Sequence, residues 1–368
     1  MYKKIYINLD NLEKEGEIFK FHFLFDEKNI FRIWDYSMKM GETYDGRVFD
    51  LATFELFLFF NYLKKKGYKK ENIEVLSDTE LFIKNDDLYK IENGNVYKLE
   101  TKNVGFFSTR GINWNNPFFF ILSKIIEKKG GVMKKTNNKN SFVYGKGKFY
   151  ALNSLYNERK NYIGDIIIPY NIKKDNYDNF INYIKSSFSS KIVIKKDFSC
   201  AGQGVYVIDL DRDDSINKEK FVNGLTNTEL HYKGIYITPY YNFEDEYRFY
   251  FTKYGGKIKL FSFKRKQILS SFEEIVNSST FQYYKNVKLK WEYVKNSDWN
   301  NYKDVIKLAK KYLDKLEYST GTLEFGKTVD GKYIFFEVNP MSATLCYRGE
   351  DEKNLNDYYL SIFDNFLL

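Results

Sequence analysis

Apolar residues recur along this chain at two spacings, and the order in which those spacings alternate predicts its elements. Residues 4–9 form a short strand-like run, and residues 50–66 carry an amphipathic helical pattern that opens on an aspartate cap and stops at Gly67. A second such unit follows: a strand at 104–107, a turn at 113–117, a helix at 118–129 closed by Gly130-Gly131, and a strand at Val132. Strands alternating with helices predict an N-terminal α/β domain over residues 1–148. Residues 149–190 read as mainly helical, with a short strand at 166–168 before Pro169. The pattern then turns to strands at 191–195, 205–210, 234–238, 247–252, 257–263, 322–328 and 332–338. Asp330-Gly331 predicts a two-residue type I′ turn between the last two. A helix at 298–316 precedes that hairpin, apolar at Val305, Leu308, Ala309, Tyr312, Leu313 and Leu316.

Length and composition narrow the class. A chain of 368 residues exceeds what one compact core usually absorbs, which predicts two or three domains. With 43% hydrophobic and 29% charged residues it is neither disordered nor fibrous. The formal charge of +9 invites a nucleic-acid reading, but only eight of the 58 basic residues are arginine. That skew is what an AT-rich genome produces by codon supply. Acidic residues also interleave with the basic ones, as at 209–214, where a nucleic-acid surface would cluster its charge.

Cys200 and Cys346 have no metal-ligand spacing, and the start of the chain meets Asn8 and Asp10 before any apolar stretch suited to export. The apolar runs at 54–60 and 117–122 fall short of the ~18 residues that cross a bilayer. The expectation is a cytoplasmic protein with no membrane segment.

Three constellations carry candidate chemistry. The first is an apolar strand ending in Lys195-Lys196, a small-residue loop holding Gly202, Gln203 and Gly204, and a second apolar strand. Glycines let backbone N–H groups approach a polyphosphate, and a lysine at the strand end adds a point charge. A plain flexible hairpin has the same pattern. The second runs from Gly321-Thr-Leu-Glu324 through the Asp330-Gly331 turn to Glu337-Val-Asn339-Pro340. Pairing brings Glu324 beside Glu337, and Glu337 and Asn339 share a face because they stand two residues apart on a strand. Hard oxygen donors so placed suit Mg²⁺, although a solvated polar hairpin face reads alike. The third places Arg248 and Arg265 on successive strands, where a lysine-rich chain spends two of its few guanidinium groups.

In this order the three pieces resemble the ATP-grasp superfamily, in its glutathione synthetase-like branch, over residues 150–348. The resemblance implies an α/β and α+β chain: a pre-ATP-grasp α/β domain at 1–148, a first ATP-grasp subdomain at 149–238 and a second at 239–368. Lys195 is then the strand lysine, Gly202, Gln203 and Gly204 the phosphate loop, and Lys160, beside Arg159, the earlier lysine. Thr238 and Tyr240 fall in the adenine hinge, with Tyr240 supplying the N–H that Pro239 lacks. Glu246 and Arg248 match the branch's acidic-x-Arg pair, and Arg265 its second arginine. Glu324, Glu337 and Asn339 match the metal triad, with glutamate where the branch more often has aspartate. Arg110 and Arg348 are candidate contacts to a substrate carboxylate, a structural loop being the alternative for Arg110.

The resemblance further implies ATP and two Mg²⁺ ions, with Mn²⁺ as a substitute, in a ligase that joins a carboxylate to an amine through an acyl phosphate. Small molecules or peptides would be its substrates, and a homodimer is compatible with it. Kinases of this superfamily carry the same site and end at phosphoryl transfer, and an idle ATP-binding regulator is a third reading. His22 and His231 are the only histidines, and no Ser-His-Asp or Cys-His arrangement is apparent, which disfavours a hydrolase.

Overall fold

A computed structural model describes residues 2–9, 43–44, 47–48, 51–77, 80–108, 117–133, 166–168, 172, 174–187, 189–196, 204–226, 235–277, 288–316, 318–339 and 350–367. Ile5, Tyr6 and Ile7 are fully buried, as a strand covered on both faces must be, and they form the centre of β1 (Lys4–Leu9). A two-residue ladder, β2 (Thr43–Tyr44) and β3 (Arg47–Val48), precedes helix α1 (Leu51–Lys65) and β4 (Ile73–Ser77). A meander follows: β5 (Leu81–Lys84), β6 (Asp87–Glu92) and β7 (Asn95–Lys98). Then come β8 (Val104–Ser108), α2 (Pro117–Lys128) and β9 (Val132–Met133).

Strands β4-β1-β8-β9 pair in parallel in that order, with α1 and α2 in the crossovers, as the strand and helix alternation predicts. Ile5 and Ile7 pack against Phe59, Phe60 and Leu63 of α1, while Tyr6 and Phe106 pack against Leu122 and Ile126 of α2. The meander is an addition to the expected alternation; its Asn93-Gly94 turn is a type I′ hairpin signal, and both residues take positive φ, 51° and 78°.

The second sheet is built from β10 (Ile166–Ile168), β11 (Lys191–Lys196), β12 (Val205–Asp209) and β13 (Ile235–Pro239), in the order β10-β13-β11-β12 and antiparallel throughout. Helices α3 (Tyr177–Ser187) and α4 (Ser215–Leu225) cover one face, where Ile192, Ile194, Ile235 and Ile237 meet Ile184, Phe221 and Leu225. Asp214 caps α4 by accepting a 2.8 Å hydrogen bond from the Asn217 N–H.

The third sheet follows in sequence. Its elements are β14 (Phe243–Tyr254), β15 (Lys257–Ile268), helix α5 (Phe272–Asn277), β16 (Leu289–Tyr293), helix α6 (Lys303–Lys315), β17 (Thr320–Thr328), β18 (Tyr333–Asn339) and helix α7 (Glu350–Leu367). The strands run β16-β15-β14-β17-β18, all antiparallel. Phe249, Phe263, Leu323, Phe325 and Phe335 pack on Val305, Ala309, Tyr312 and Leu313 of α6, the face that the helical period predicts. Lys253 closes the C-terminal end of α6, its ammonium donating to the carbonyls of Leu313, Asp314 and Leu316 at 2.8, 2.7 and 2.9 Å.

The turn between β17 and β18 differs from the expected type I′ form. Only Gly331 takes positive φ, 82°, and its N–H donates to the Thr328 carbonyl at 2.9 Å. This is a three-residue loop, Val329-Asp330-Gly331, in which the glycine closes a bulge.

Helix α7 joins the first and third sheets. Its Tyr359, Ile362, Phe363 and Phe366 complete the core around Ile5, Phe59, Phe60 and Phe107. Its Tyr358 stands edge-on to Phe261 of β15 at 5.6 Å and shares a 2.7 Å hydrogen bond with Thr320 of β17. No described helix is long and apolar enough to cross a membrane.

Phe363 is fully buried and its ring lies 5.1 Å from Phe59 and 5.8 Å from Phe107. Phe363→Ala is expected to cost about 3–5 kcal/mol, read as a lowered midpoint in urea unfolding followed by far-UV circular dichroism. A midpoint equal to that of the parent protein would contradict the role given to α7.

Candidate active site between the two antiparallel sheets

Strand alternation sorts the third sheet into two unlike faces. Residues of one parity point at α6 and are mostly aromatic or aliphatic; the other parity holds the Lys, Arg and Glu side chains at the centre of the sheet. On the charged face Lys264, Arg248, Glu324 and Glu337 stand in register across β15, β14, β17 and β18. A second row sets Lys266 opposite Glu246, and Glu246 opposite Gly326. Glu324 and Glu337 are therefore direct cross-strand neighbours, as the hairpin pairing predicts, with Cβ atoms about 4.5–5.5 Å apart by ordinary sheet geometry.

These charges are largely out of water. Lys264 and Lys266 are each 3% exposed and Glu324 is 6% exposed. Such burial is tolerated only where partners replace the lost water. Arg248 Nη2 lies 2.9 Å from Glu324 Oε1, and the Lys266 ammonium pairs with Glu246 Oε2. Lys264 also sits 5.2 Å from the Tyr250 ring centroid.

A bulge shapes the apolar end of this face. Pairing slips between Glu324 and Phe325, opposite Glu337 and Phe335, so Phe336 is the extra residue. Its ring lies over Gly326 and meets Phe243 edge-on at 4.9 Å. A Cβ at Gly326 would fall 2.5 Å from the Phe243 ring and 2.8 Å from that of Phe336, so only glycine leaves the two rings their place.

The second sheet supplies a further cation. Lys195 stands opposite Tyr236, and its ammonium lies 5.6 Å from the Tyr236 ring centroid and 5.3 Å from that of Phe336. The strand lysine therefore reaches β18 of the third sheet. Lys196 takes the opposite face, over Tyr206 at 5.6 Å, which separates the two adjacent lysines by role. Thr238, buried, shares the Lys195 face. Gly204 has φ 66°, and its carbonyl accepts a 2.9 Å hydrogen bond from the Lys196 N–H at the base of the loop.

Two expected roles change. Arg265 stands opposite Tyr247 on the face turned to α6, where its Nε bonds Asp245 Oδ1 at 2.6 Å and its Nη1 reaches the Tyr302 hydroxyl at 3.5 Å. It belongs to the packed side and is not a cation of the charged face. The β15 cations on that face are Lys264 and Lys266, one residue to either side. Phe263, two residues from Arg265 and buried, was the signal that fixed this parity. The Tyr240 N–H is also committed, donating to the Lys191 carbonyl at 2.8 Å, so it is not the adenine donor assigned to it. The Tyr240 ring packs edge-on against Phe272 at 4.7 Å, and burial, with the nearby Glu246 charge, raises the pKa of its hydroxyl.

Lys160, Gly202, Gln203, Arg110 and Arg348 lie outside the described residues. Asn339 stands opposite Thr322 at the end of β18, the next position on the charged face after Glu337. Among the described residues no three histidine, cysteine or carboxylate groups gather as a metal cluster. The Mg²⁺ expectation therefore rests on the Glu324 and Glu337 carboxylates with the Asn339 position beside them, an all-oxygen set that fits this ion.

No family model and no curated protein matches the sequence. Solved structures do match over its whole length. The VanG D-Ala:D-Ser ligase from Enterococcus faecalis aligns over 100% of this chain and 100% of its own at 10% identity, with a TM-score of 0.57. A D-alanine–D-alanine ligase from Bacillus anthracis aligns over 99% of this chain and 96% of its own at 12% identity, TM-score 0.52. D-alanyl-alanine synthetase A from Vibrio cholerae covers 100% of this chain and 99% of its own at 12% identity, TM-score 0.51. At these identities the likeness is one of architecture, and this chain has the ATP-grasp fold, preceded by an N-terminal α/β sheet.

Proposed function

We propose that this protein is an ATP-dependent ligase that joins a carboxylate to an amine through an acyl phosphate. The observation that carries the reading is the in-register row Lys264, Arg248, Glu324 and Glu337, in which Lys264 and Glu324 are buried, with Lys195 reaching the same sheet from the second one. A face with two cations on one side and two carboxylates on the other serves a polyphosphate and its counter-ion. Solved structures of this fold are named as D-Ala:D-Ser and D-alanine–D-alanine ligases, and a reaction of that class is the one proposed here.

In this reading Lys195, Lys160 and the loop of Gly202, Gln203 and Gly204 hold the phosphates, and Thr238 and Glu246 line the nucleoside end. Glu324, Glu337 and Asn339 would hold Mg²⁺, which when bound neutralises phosphate oxygens. Arg248 and Lys264 stabilise charge as the γ-phosphoryl group moves. A substrate carboxylate oxygen attacks the γ-phosphorus while the bond to the β-bridging oxygen breaks, releasing ADP. The amine nitrogen then attacks the acyl carbon, the carbon–oxygen bond to phosphate breaks, phosphate leaves, and the nitrogen gives its proton to solvent. Positioning and fixed charge suffice, so no nucleophilic side chain is needed. Arg110 and Arg348 are the proposed contacts to substrate carboxylates.

ADP release screened over paired pools of acids and amines, with mass spectrometry of the product, tests the reaction. An amide product is expected; a phosphorylated product without amide would make the protein a kinase. Glu337→Gln is expected to lower Mg²⁺-dependent ATP turnover at least about 100-fold with the thermal midpoint nearly unchanged, and undiminished turnover would remove Glu337 from the site.

The two arginines should separate in the same assay. Arg248→Met is expected to lose turnover about 100-fold. Arg265→Met, which breaks the Asp245 pair on the far face, is expected to keep turnover and lower stability by about 1–3 kcal/mol in urea unfolding. Equal losses of turnover in both would return Arg265 to the catalytic set.

A further inference from the structure

We infer that Lys266 is a positioning residue for the nucleoside end of the cleft, acting through Glu246; the inference rests on the ATP reading of this site. The two side chains stand opposite each other on β15 and β14 and form an ion pair in which the Lys266 side chain is 4% and the Glu246 side chain 12% exposed. On its other flank Glu246 faces Gly326, which has no side chain and is roofed by the rings of Phe243 and Phe336. Lys266 is thus the one in-register side chain that can hold this carboxylate in place.

The place is specific. Glu246 lies close enough to Tyr240, just past β13, for its charge to act on the tyrosine hydroxyl. Arg248, Glu324 and Glu337 lie one row further along the face. The Lys266 pair therefore marks the boundary between an apolar floor and the row proposed for phosphate and metal. Lys266 engages Oε2, and a carboxylate retains acceptor capacity on its second oxygen for a nucleotide hydroxyl. Without the ammonium, a largely buried carboxylate loses the partner that replaces its lost water and would turn away from this position.

Calorimetric titration of the full-length protein with ATP and, separately, with inorganic tripolyphosphate, both with Mg²⁺, tests this. Lys266→Met is expected to weaken ATP about tenfold and leave tripolyphosphate within about twofold, because only ATP carries the nucleoside. Glu246→Gln should do the same, the double variant should be no worse than the weaker-binding single variant, and Lys266→Arg should bind ATP like the parent.

Equal weakening of both ligands by Lys266→Met, or additive effects in the double variant, would overturn the inference. Should Lys266→Met fail to fold, Glu246→Gln and Lys266→Arg decide it: unchanged ATP affinity in the first, or weakened tripolyphosphate in the second, overturns it. A parent protein that binds neither ligand would instead sink the ATP reading itself.

Discussion

The charged face depends on one constraint, the two-residue alternation that the third sheet keeps along most of its length. Aromatic and aliphatic side chains of one parity seal against α6, which fixes the other parity toward the second sheet. Once that face is committed, its charges cannot retreat to water, and each must find a partner across the strands. Arg248 finds Glu324 and Lys266 finds Glu246. Buried ion pairs of this kind add little net stability, yet breaking one is expensive, so they hold side chains in register. The bulge at Phe336 is one of three local exceptions, and it turns an extra ring toward the Lys195 side without disturbing the charged rows.

Much of this was legible because strands and helices announce themselves by period. The parallel N-terminal sheet, the Lys195 strand, the α6 face and the Glu324–Glu337 pairing all follow from apolar spacing and turn chemistry. That Lys195 and Lys196 face opposite ways also follows, since adjacent strand residues alternate.

What was not legible has physical reasons. Residue type alone points Arg265 at an anion, although its parity with Phe263 and its pairing with Tyr247 send it to the packed face. The missing N–H of Pro239 points to Tyr240 as donor, but the neighbouring strand claims that N–H through the Lys191 carbonyl, a pairing the local sequence does not encode. The Asp330-Gly331 turn reads as a two-residue loop because dipeptide signals do not reveal which flanking residues continue the ladder. Helix α7 bears on two sheets at once, and that follows from tertiary placement, which local periodicity does not encode.

That helix carries a consequence for how the chain acquires its structure. The hydrogen bond from Tyr62 to Asp364 closes a span of 302 residues, and the hydrophobic face of the first sheet is completed by side chains from the same late segment. During synthesis the earliest strands therefore emerge long before the helix that covers them. Contacts so distant in sequence slow folding, because chain entropy is spent before they repay it. The early sheet must wait with Ile5, Phe59 and Phe107 incompletely covered, a state in which association with other chains competes with completion of its own core.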